Sequence, residues 1–309
     1  MTMPWHERDG RLSPLKAACF LLLWLPGLWL AWRILADDLG PRPLDELIHE
    51  TGRWAVWLLL GSLAVTPLRR LLDWPALIKL RRQIGVAALA YVLAHLVLYV
   101  LDQKGDLVKV ASEIVLRFYL TIGFIALLGL SALGLTSFDA AIRRMGGKAW
   151  GRLHKLVYVI AVLALVHYLL QAKREIDPPL LQVGFFAWLM LYRLGYALGR
   201  LRRAGDAWAL APLAALAAAL AEVAWAACCT QLPWQRLWAA NLMFDFRIAP
   251  SWLTLAVALL VALVAQARGW IVASSRRRSP ATPRPGPAAA SRPPAHAAAG
   301  HPGSSRSPG

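Results

Sequence analysis

Long apolar runs separated by short polar segments dominate the pattern of this chain. The runs lie at about 15–35, 54–67, 84–101, 114–135, 149–171, 178–199, 208–229 and 252–272. Most of them approach the roughly 20 apolar residues that an α-helix needs to cross a bilayer. The run at 54–67 is short, and residues 47–51 would extend it at its start. The pattern predicts an all-α fold, a polytopic membrane bundle of eight spanning helices.

The basic residues predict how this bundle is oriented. They cluster in RRLLDWPALIKLRRQ at 69–83, TSFDAAIRRMGGKAWGR at 136–152 and GRLRRAGD at 199–206, and the alternate loops carry fewer of them. Cytoplasmic loops are enriched in Lys and Arg. Eight spans with both termini in the cytoplasm place every basic loop on that side. The first run ends in Ala-Asp-Asp without a small-x-small cleavage site, which favours a retained span over a signal peptide.

Composition excludes an ordinary soluble domain. Hydrophobic residues make up 58% of the 309 residues, and the mean hydropathy is +0.49. The formal charge of +17 is spread over short clusters between apolar runs, so nucleic acid is not a predicted partner. The cysteines Cys19, Cys228 and Cys229 form neither a CxxC pair nor a C-x-x-C-H haem-attachment motif. Any haem is therefore predicted to be non-covalent, of the b type.

The fifth run, AWGRLHKLVYVIAVLALVHYLLQ at 149–171, carries His154 and His167, and the third run carries His95. A histidine inside hydrocarbon is a candidate functional residue, although a bond to a neighbouring helix is its commoner role. At 1.5 Å per residue, His95 lies roughly 17 Å from the cytoplasmic boundary, and His167 roughly 20 Å beyond His154. His95 and His167 thus reach similar depths on two parallel helices. We predict that they ligate one haem iron from opposite faces.

His154 lies near the cytoplasmic boundary, where it predicts a separate inner site or an interfacial histidine. A partner for it on the third span would fall near 81–83, where no histidine occurs. An inner haem would therefore lack one histidine ligand. A flavin, a quinone or a different axial ligand stay open as alternatives.

Four stretches resemble one family, MsrQ (YedZ), the haem-binding membrane subunit of the periplasmic methionine sulfoxide reductase system within the ferric-reductase-like transmembrane group. They are LAVTPLRRL at 63–71, LRRQIGVAALAYVLAHLVLY at 80–99, RFYLTIGFIALLGLSALGLTS at 117–137 and WGRLHKLVYVIAVLALVHYLL at 150–170. The resemblance covers roughly the first 200 residues. It divides the chain into a six-span haem-binding domain (1–205), an additional two-span hairpin (206–273) and a disordered cytoplasmic tail (274–309), rich in Pro, Ala, Ser and Arg.

The resemblance implies a bacterial inner-membrane electron carrier with haem b, and FMN as a further cofactor. It implies that electrons come from the quinone pool or a flavin donor. They would pass to a periplasmic molybdopterin-containing subunit that reduces methionine sulfoxide in proteins, so the chain would be an electron-transfer subunit rather than the catalytic one.

Three arginines are candidate contacts for haem propionates or a flavin phosphate. Arg117 begins the fourth predicted span on the outer side, where a pair with Glu113 is the alternative role. Arg81 and Arg82 lie on the inner side, where membership of the basic loop is the alternative. Glu222, deep in the seventh run, is either a proton-handling group or a neutral acid bonded to another helix.

Two other functions share some of these features. A ferric reductase or oxidase uses the same type of bundle with a flavin and nucleotide domain, and no G-x-G-x-x-G motif follows a predicted strand in this chain. A separate cytoplasmic flavin reductase would supply that domain. A transporter predicts inverted repeats and broken helices, and the sequence shows neither.

Overall fold

The computed structural model describes residues 3–7, 9–172, 175–201, 204–229, 233–244 and 248–278. These residues form helices and no strand, with one isolated β-bridge between His6 and Leu12. The predicted all-α class is confirmed.

Twelve α-helices are found in the described part of the chain. The first six are α1 (Pro14–Leu35), α2 (Pro43–Leu71), α3 (Arg81–Asp102), α4 (Leu107–Leu116), α5 (Phe118–Leu135) and α6 (Asp139–Met145). The other six are α7 (Gly147–Leu153), α8 (Val157–Gln171), α9 (Asp177–Ala197), α10 (Leu210–Cys229), α11 (Trp234–Ala240) and α12 (Pro250–Arg278). Short 3₁₀ turns precede α3, α8 and α10, at Pro75–Leu80, His154–Leu156 and Ala204–Ala209.

Seven of the eight predicted spans are long and apolar enough to cross a membrane. They are Pro14–Leu35, Pro75–Asp102, Phe118–Leu135, Gly147–Gln171, Asp177–Ala197, Gly205–Cys229 and Pro250–Ile271. The protein is therefore a polytopic helical membrane protein.

The remaining predicted span, 54–67, is part of α2, which differs from the prediction in length and composition. It runs for 29 residues from Pro43, with Asp45 and Glu46 in its first turn, where carboxylates suit the helix dipole. Residues 43–53, which precede the predicted span, are thus helical as well. Much of α2 is buried, including Glu50 and Thr51. A helix that faces protein rather than lipid does not need the hydropathy of a lipid-exposed span. This explains why α2 is not among the seven apolar helices.

The fourth predicted span, 114–135, is wrong at its start. Arg117 has an extended backbone (φ −103°, ψ 104°) between α4 and α5, so the spanning helix begins at Phe118. The pair of Glu113 and Arg117 closes the end of α4 instead of supporting the start of α5. The Thr121 hydroxyl donates to the Ile114 carbonyl at 2.6 Å and ties the two helices together across the break.

A proline and an arginine fix how α2 packs against α9. Pro67 lies inside α2 and has no N–H to donate to the Leu63 carbonyl one turn earlier. The Arg193 Nη2 atom of α9 donates to that carbonyl at 2.6 Å, and its Nε donates to the Tyr158 hydroxyl of α8 at 3.2 Å. One guanidinium thus joins three helices at the point where the helical ladder of α2 is broken.

The additional hairpin packs on α9. An added Cβ at Gly184 of α9 would meet the Thr254 hydroxyl of α12 and the Ala218 methyl of α10. Glu222 is 1% exposed and accepts a hydrogen bond from the Asn241 Nδ2 atom at 2.9 Å. Glu222 thus bonds to the residue directly after α11, and its role as a neutral or a proton-handling acid stays a prediction.

The chain divides into two units, Met1–Trp270 and Ile271–Gly309. Of the second unit, the structure describes the end of α12 to Arg278, which continues five residues into the predicted tail. The rest of the tail, 279–309, lies outside the described residues, and its disorder stays a prediction.

Candidate functional site

The structure brings His95 of α3 and His167 of α8 together inside the bundle. The centroids of their rings lie 6.3 Å apart, and the ring planes are nearly perpendicular, at 86°. Two metal–nitrogen bonds of about 2 Å each, with each ring centre roughly an ångström behind its nitrogen, would put the centroids about 6 Å apart. The observed separation therefore suits two imidazoles that face one metal ion.

Each of the two rings is held through its Nδ1 atom. His95 Nδ1 lies 2.7 Å from the Ile48 carbonyl oxygen, and His167 Nδ1 lies 2.8 Å from the Tyr119 carbonyl oxygen. A carbonyl only accepts, so each Nδ1 carries the proton and donates. The other ring nitrogen, Nε2, is then the one with a free lone pair. This is the tautomer in which metal-binding histidines are usually held.

A glycine on the neighbouring helix makes room for each ring. Gly52 of α2 lies under His95, where an added Cβ would be 3.0 Å from Nδ1. Gly123 of α5 lies under His167, where an added Cβ would be 2.7 Å from Nδ1. In both places the glycine comes four residues after the carbonyl that accepts the hydrogen bond. On α2 and on α5, a carbonyl and a glycine one helical turn apart therefore hold one histidine ring each.

A cavity of about 130 Å³ lies between the two histidines. Its walls are mainly apolar and come from α2, α3, α4, α5 and α8, including Val56, Leu59, Val92, Leu96, Ile114, Phe124, Leu127, Leu130, Ile160 and Ala164. Typical ligand pockets hold about 300–1,000 Å³. A haem would therefore have to displace some of the lining side chains, and His95 and His167 would be the residues that hold it.

Polar side chains at this cavity include several that the sequence did not single out. Arg53 lines it and forms an ion pair with the buried Glu50, to which its Nε donates at 3.2 Å. Tyr99 also lines it and donates its hydroxyl to Glu113. Arg53 therefore brings a guanidinium to the cavity.

Arg117 lies next to this cluster without lining the cavity. Its Nη2 is 3.0 Å from Glu113 Oε1, and its Nη1 donates to the Tyr119 hydroxyl at 3.2 Å. The Tyr119 hydroxyl and, after it, the Glu113 carboxylate raise the pKa of Arg117, which keeps it charged. The predicted pair of Arg117 with Glu113 is thus present, and a propionate contact for Arg117 stays a prediction.

The other predicted site residues lie at the opposite end of the bundle. His154 stacks on Trp150 at 4.0 Å between centroids, and its Nδ1 is 3.2 Å from the Trp150 carbonyl. Arg81 is a charged neighbour of His154, while Arg82 pairs with Asp139 at 2.7 Å. The structure does not bring His154 together with His95 and His167. Among the described residues, no cluster of three His, Cys, Asp or Glu side chains is found that could hold a metal ion.

A helical membrane bundle with one inward histidine on each of two helices is consistent with the ferric-reductase-like class of transmembrane proteins. The family described as "Ferric reductase like transmembrane component" matches residues 51–165, which include His95 and His154 and stop before His167.

The chain belongs to the MsrQ family. It is 42% identical to the protein-methionine-sulfoxide reductase heme-binding subunit MsrQ of Caulobacter vibrioides over 194 residues, 61% of this chain and 92% of that relative. It is 40% identical to the subunit of the same name from Rhodospirillum rubrum, over 65% of this chain and 95% of the relative. The subunit of Azospira oryzae is also 40% identical, over 67% and 88%. No solved structure gives a significant match.

Proposed function

We propose that this chain is a membrane electron-transfer subunit that binds haem b between His95 and His167. The observation that carries the proposal is the pair of neighbouring rings, 6.3 Å apart between centroids, with each Nδ1 bonded to a backbone carbonyl so that each Nε2 keeps its lone pair for a metal. The relatives are named as heme-binding subunits, which supports haem as the ligand. A haem held by His95 and His167 would supply one-electron transfer.

We further propose that the electrons pass from the quinone pool, or from a flavin donor, to a periplasmic molybdopterin-containing methionine sulfoxide reductase. The names of the relatives support a reductase partner. The basic loops support an inner-membrane location with both termini in the cytoplasm. Arg53 beside the cavity is then at the periplasmic side, where it suits a haem propionate better than Arg117 does. Arg81 and Arg82 lie on the cytoplasmic side, and FMN there rests on the family resemblance alone.

A second candidate function is a ferric-reductase or oxidase-type cytochrome that uses a separate cytoplasmic flavin reductase. The match to the ferric-reductase-like family favours it. It needs the same two histidines, so only the electron donor and acceptor distinguish it from the first proposal.

The test begins with the ratio of haem to purified protein and a redox titration. We expect that His95→Ala and His167→Ala each abolish the low-spin haem spectrum, because each removes one of two axial nitrogens. His49→Ala is the matched control, since His49 also lines the cavity but bonds to Asp45 of its own helix. A full low-spin spectrum in either of the first two variants would disprove the pair. Faster reduction by quinol than by NADPH with a flavin reductase would support the first function over the second.

A further inference from the structure

A second and much larger cavity, about 1550 Å³, runs along α1 and α3, and neither His95 nor His167 lines it. One side chain of α3 that lines it makes two hydrogen bonds to the backbone of α1. The Tyr91 hydroxyl of α3 accepts from the Gly27 N–H at 2.8 Å and donates to the Leu23 carbonyl at 3.1 Å. This hydroxyl enters the helical ladder of α1 next to Pro26, and the two helices leave a groove around it.

The walls of this groove are apolar along most of its length. On α1 they recur at helical spacing from Phe20 to Ile34, and on α3 from Val86 to Leu98. Fourteen residues of helix rise by about 21 Å. One leaflet of a ~30 Å hydrocarbon core is about 15 Å deep. The groove is therefore long enough to hold the acyl chains of a lipid from one leaflet.

The end of the groove at which α1 and α3 begin is strongly basic. The basic side chains that line it are Lys16, Lys79, Arg82, Arg143 and Arg144. Two carboxylates oppose them: Asp139 pairs with Arg82 at 2.7 Å, and Glu7 is 2.8 Å from Lys79 and 3.5 Å from Lys16. Five cations against two anions leave the mouth positive. Arg143 and Arg144 are exposed at the end of α6 and make no ion pair within the described part of the chain.

We propose that this groove binds an anionic glycerophospholipid, with the phosphate at the basic mouth and the acyl chains along α1 and α3. Basic pockets between membrane helices on the cytoplasmic side bind anionic headgroups. A quinone has a neutral head, so it would form no ion pair with the cations at the mouth, whereas a phosphate would. The proposal goes beyond the electron-transfer function and does not depend on it.

The test is native mass spectrometry of the full chain in detergent, titrated with dioleoyl-phosphatidylglycerol and, separately, with dioleoyl-phosphatidylcholine. We expect one tightly bound phosphatidylglycerol. The double variant Arg143→Gln/Arg144→Gln should bind it roughly thirtyfold more weakly, because two basic contacts are lost. Lys104→Gln/Lys109→Gln removes the same charge at the opposite end and should leave binding unchanged. Ala90→Trp places a large side chain in the groove and should reduce phosphatidylglycerol binding without any change of charge.

Haem content is measured in every sample, so a loss of lipid with normal haem separates this proposal from the haem proposal. Equal binding of both lipids, or unchanged phosphatidylglycerol binding in the arginine and tryptophan variants, would overturn it. If Ala90→Trp leaves lipid binding intact and instead abolishes reduction by quinol, the groove is a quinone site and the proposal is wrong.

Discussion

Gly123→Ala tests the link between packing and ligation most directly. The substitution adds one methyl group under His167 and leaves every proposed ligand in place. In an exposed helix interior the change would stabilise by about 0.5–1 kcal/mol, because glycine is the poorer helix former. Here we expect the opposite effect on the cofactor: loss of the low-spin haem spectrum.

The structure gives the size of the clash. The new Cβ would lie 2.7 Å from His167 Nδ1 and 2.8 Å from Cε1. Ordinary van der Waals contact begins at 3.4 Å, so the ring must move by about 0.6–0.7 Å. Metal sites tolerate deviations of about 0.2 Å in ligand distances. The movement also strains the 2.8 Å hydrogen bond from Nδ1 to the Tyr119 carbonyl. Loss of such an outer-shell bond typically weakens metal affinity about 10–100-fold.

Two further variants calibrate the effect. Gly52→Ala puts its Cβ 3.0 Å from His95 Nδ1, a milder clash, and should weaken haem binding less than Gly123→Ala. Gly85→Ala on α3 is the matched control, because an added Cβ there meets nothing within 4 Å. The assays are the visible spectrum, the haem-to-protein ratio and the thermal unfolding temperature. If Gly123→Ala kept the wild-type spectrum and stoichiometry, the inference that this glycine positions the ring would be wrong.

Three other predictions follow from separate parts of the molecule. His154→Ala should keep the haem of the His95 and His167 pair but slow its reduction from the cytoplasmic side; complete haem loss in a folded variant would place His154 in the main site. Arg193→Met should lower the free energy of unfolding by about 1–3 kcal/mol, because the buried Leu63 carbonyl loses its donor; thermal unfolding beside the exposed control Arg200→Met measures this, and equal shifts would contradict it. A chain that ends at Ala204 should insert and bind haem with unchanged stoichiometry at lower thermal stability, since the residues lining the cavity all precede Ala172; stable insertion without haem would show that the hairpin supports the site.

The parts of the fold that depend on local composition were predictable from the sequence. Hydropathy gave the apolar spans, because each must match the bilayer by itself. The depth argument placed His95 and His167 at one level, because helical rise is constant. The burial of α2 was not predictable in this way. Its first half, around Glu50 and Arg53, has a polar composition that is typical of a loop. Only the helices packed around it show that this segment is a buried helix.

The break at Arg117 also depends on partners distant from the local pattern. The sequence from Glu113 onward is apolar enough to continue as helix, and the pairing of Glu113 with Arg117 is compatible with a continuous one. In the structure Glu113 also accepts a hydrogen bond from Tyr99 of α3, and α4 ends at Leu116. A tertiary contact of this kind overrides local helix preference.

Gly52, Gly123 and Pro67 nevertheless indicate from the sequence alone that another group contacts the helix at each position. A glycine inside a helix costs about 1 kcal/mol relative to alanine, so Gly52 and Gly123 each imply a close approach by another group. Pro67 leaves one carbonyl without its helical donor, so a donor from elsewhere is required. The sequence does not show which side chain makes each approach. His95, His167 and Arg193 lie on other helices, and only the packing of the helices shows that they contact these positions. Gly52 and Gly123 leave room for the rings of His95 and His167 because neither carries a Cβ, so we expect both positions to affect the proposed haem site although neither is a ligand.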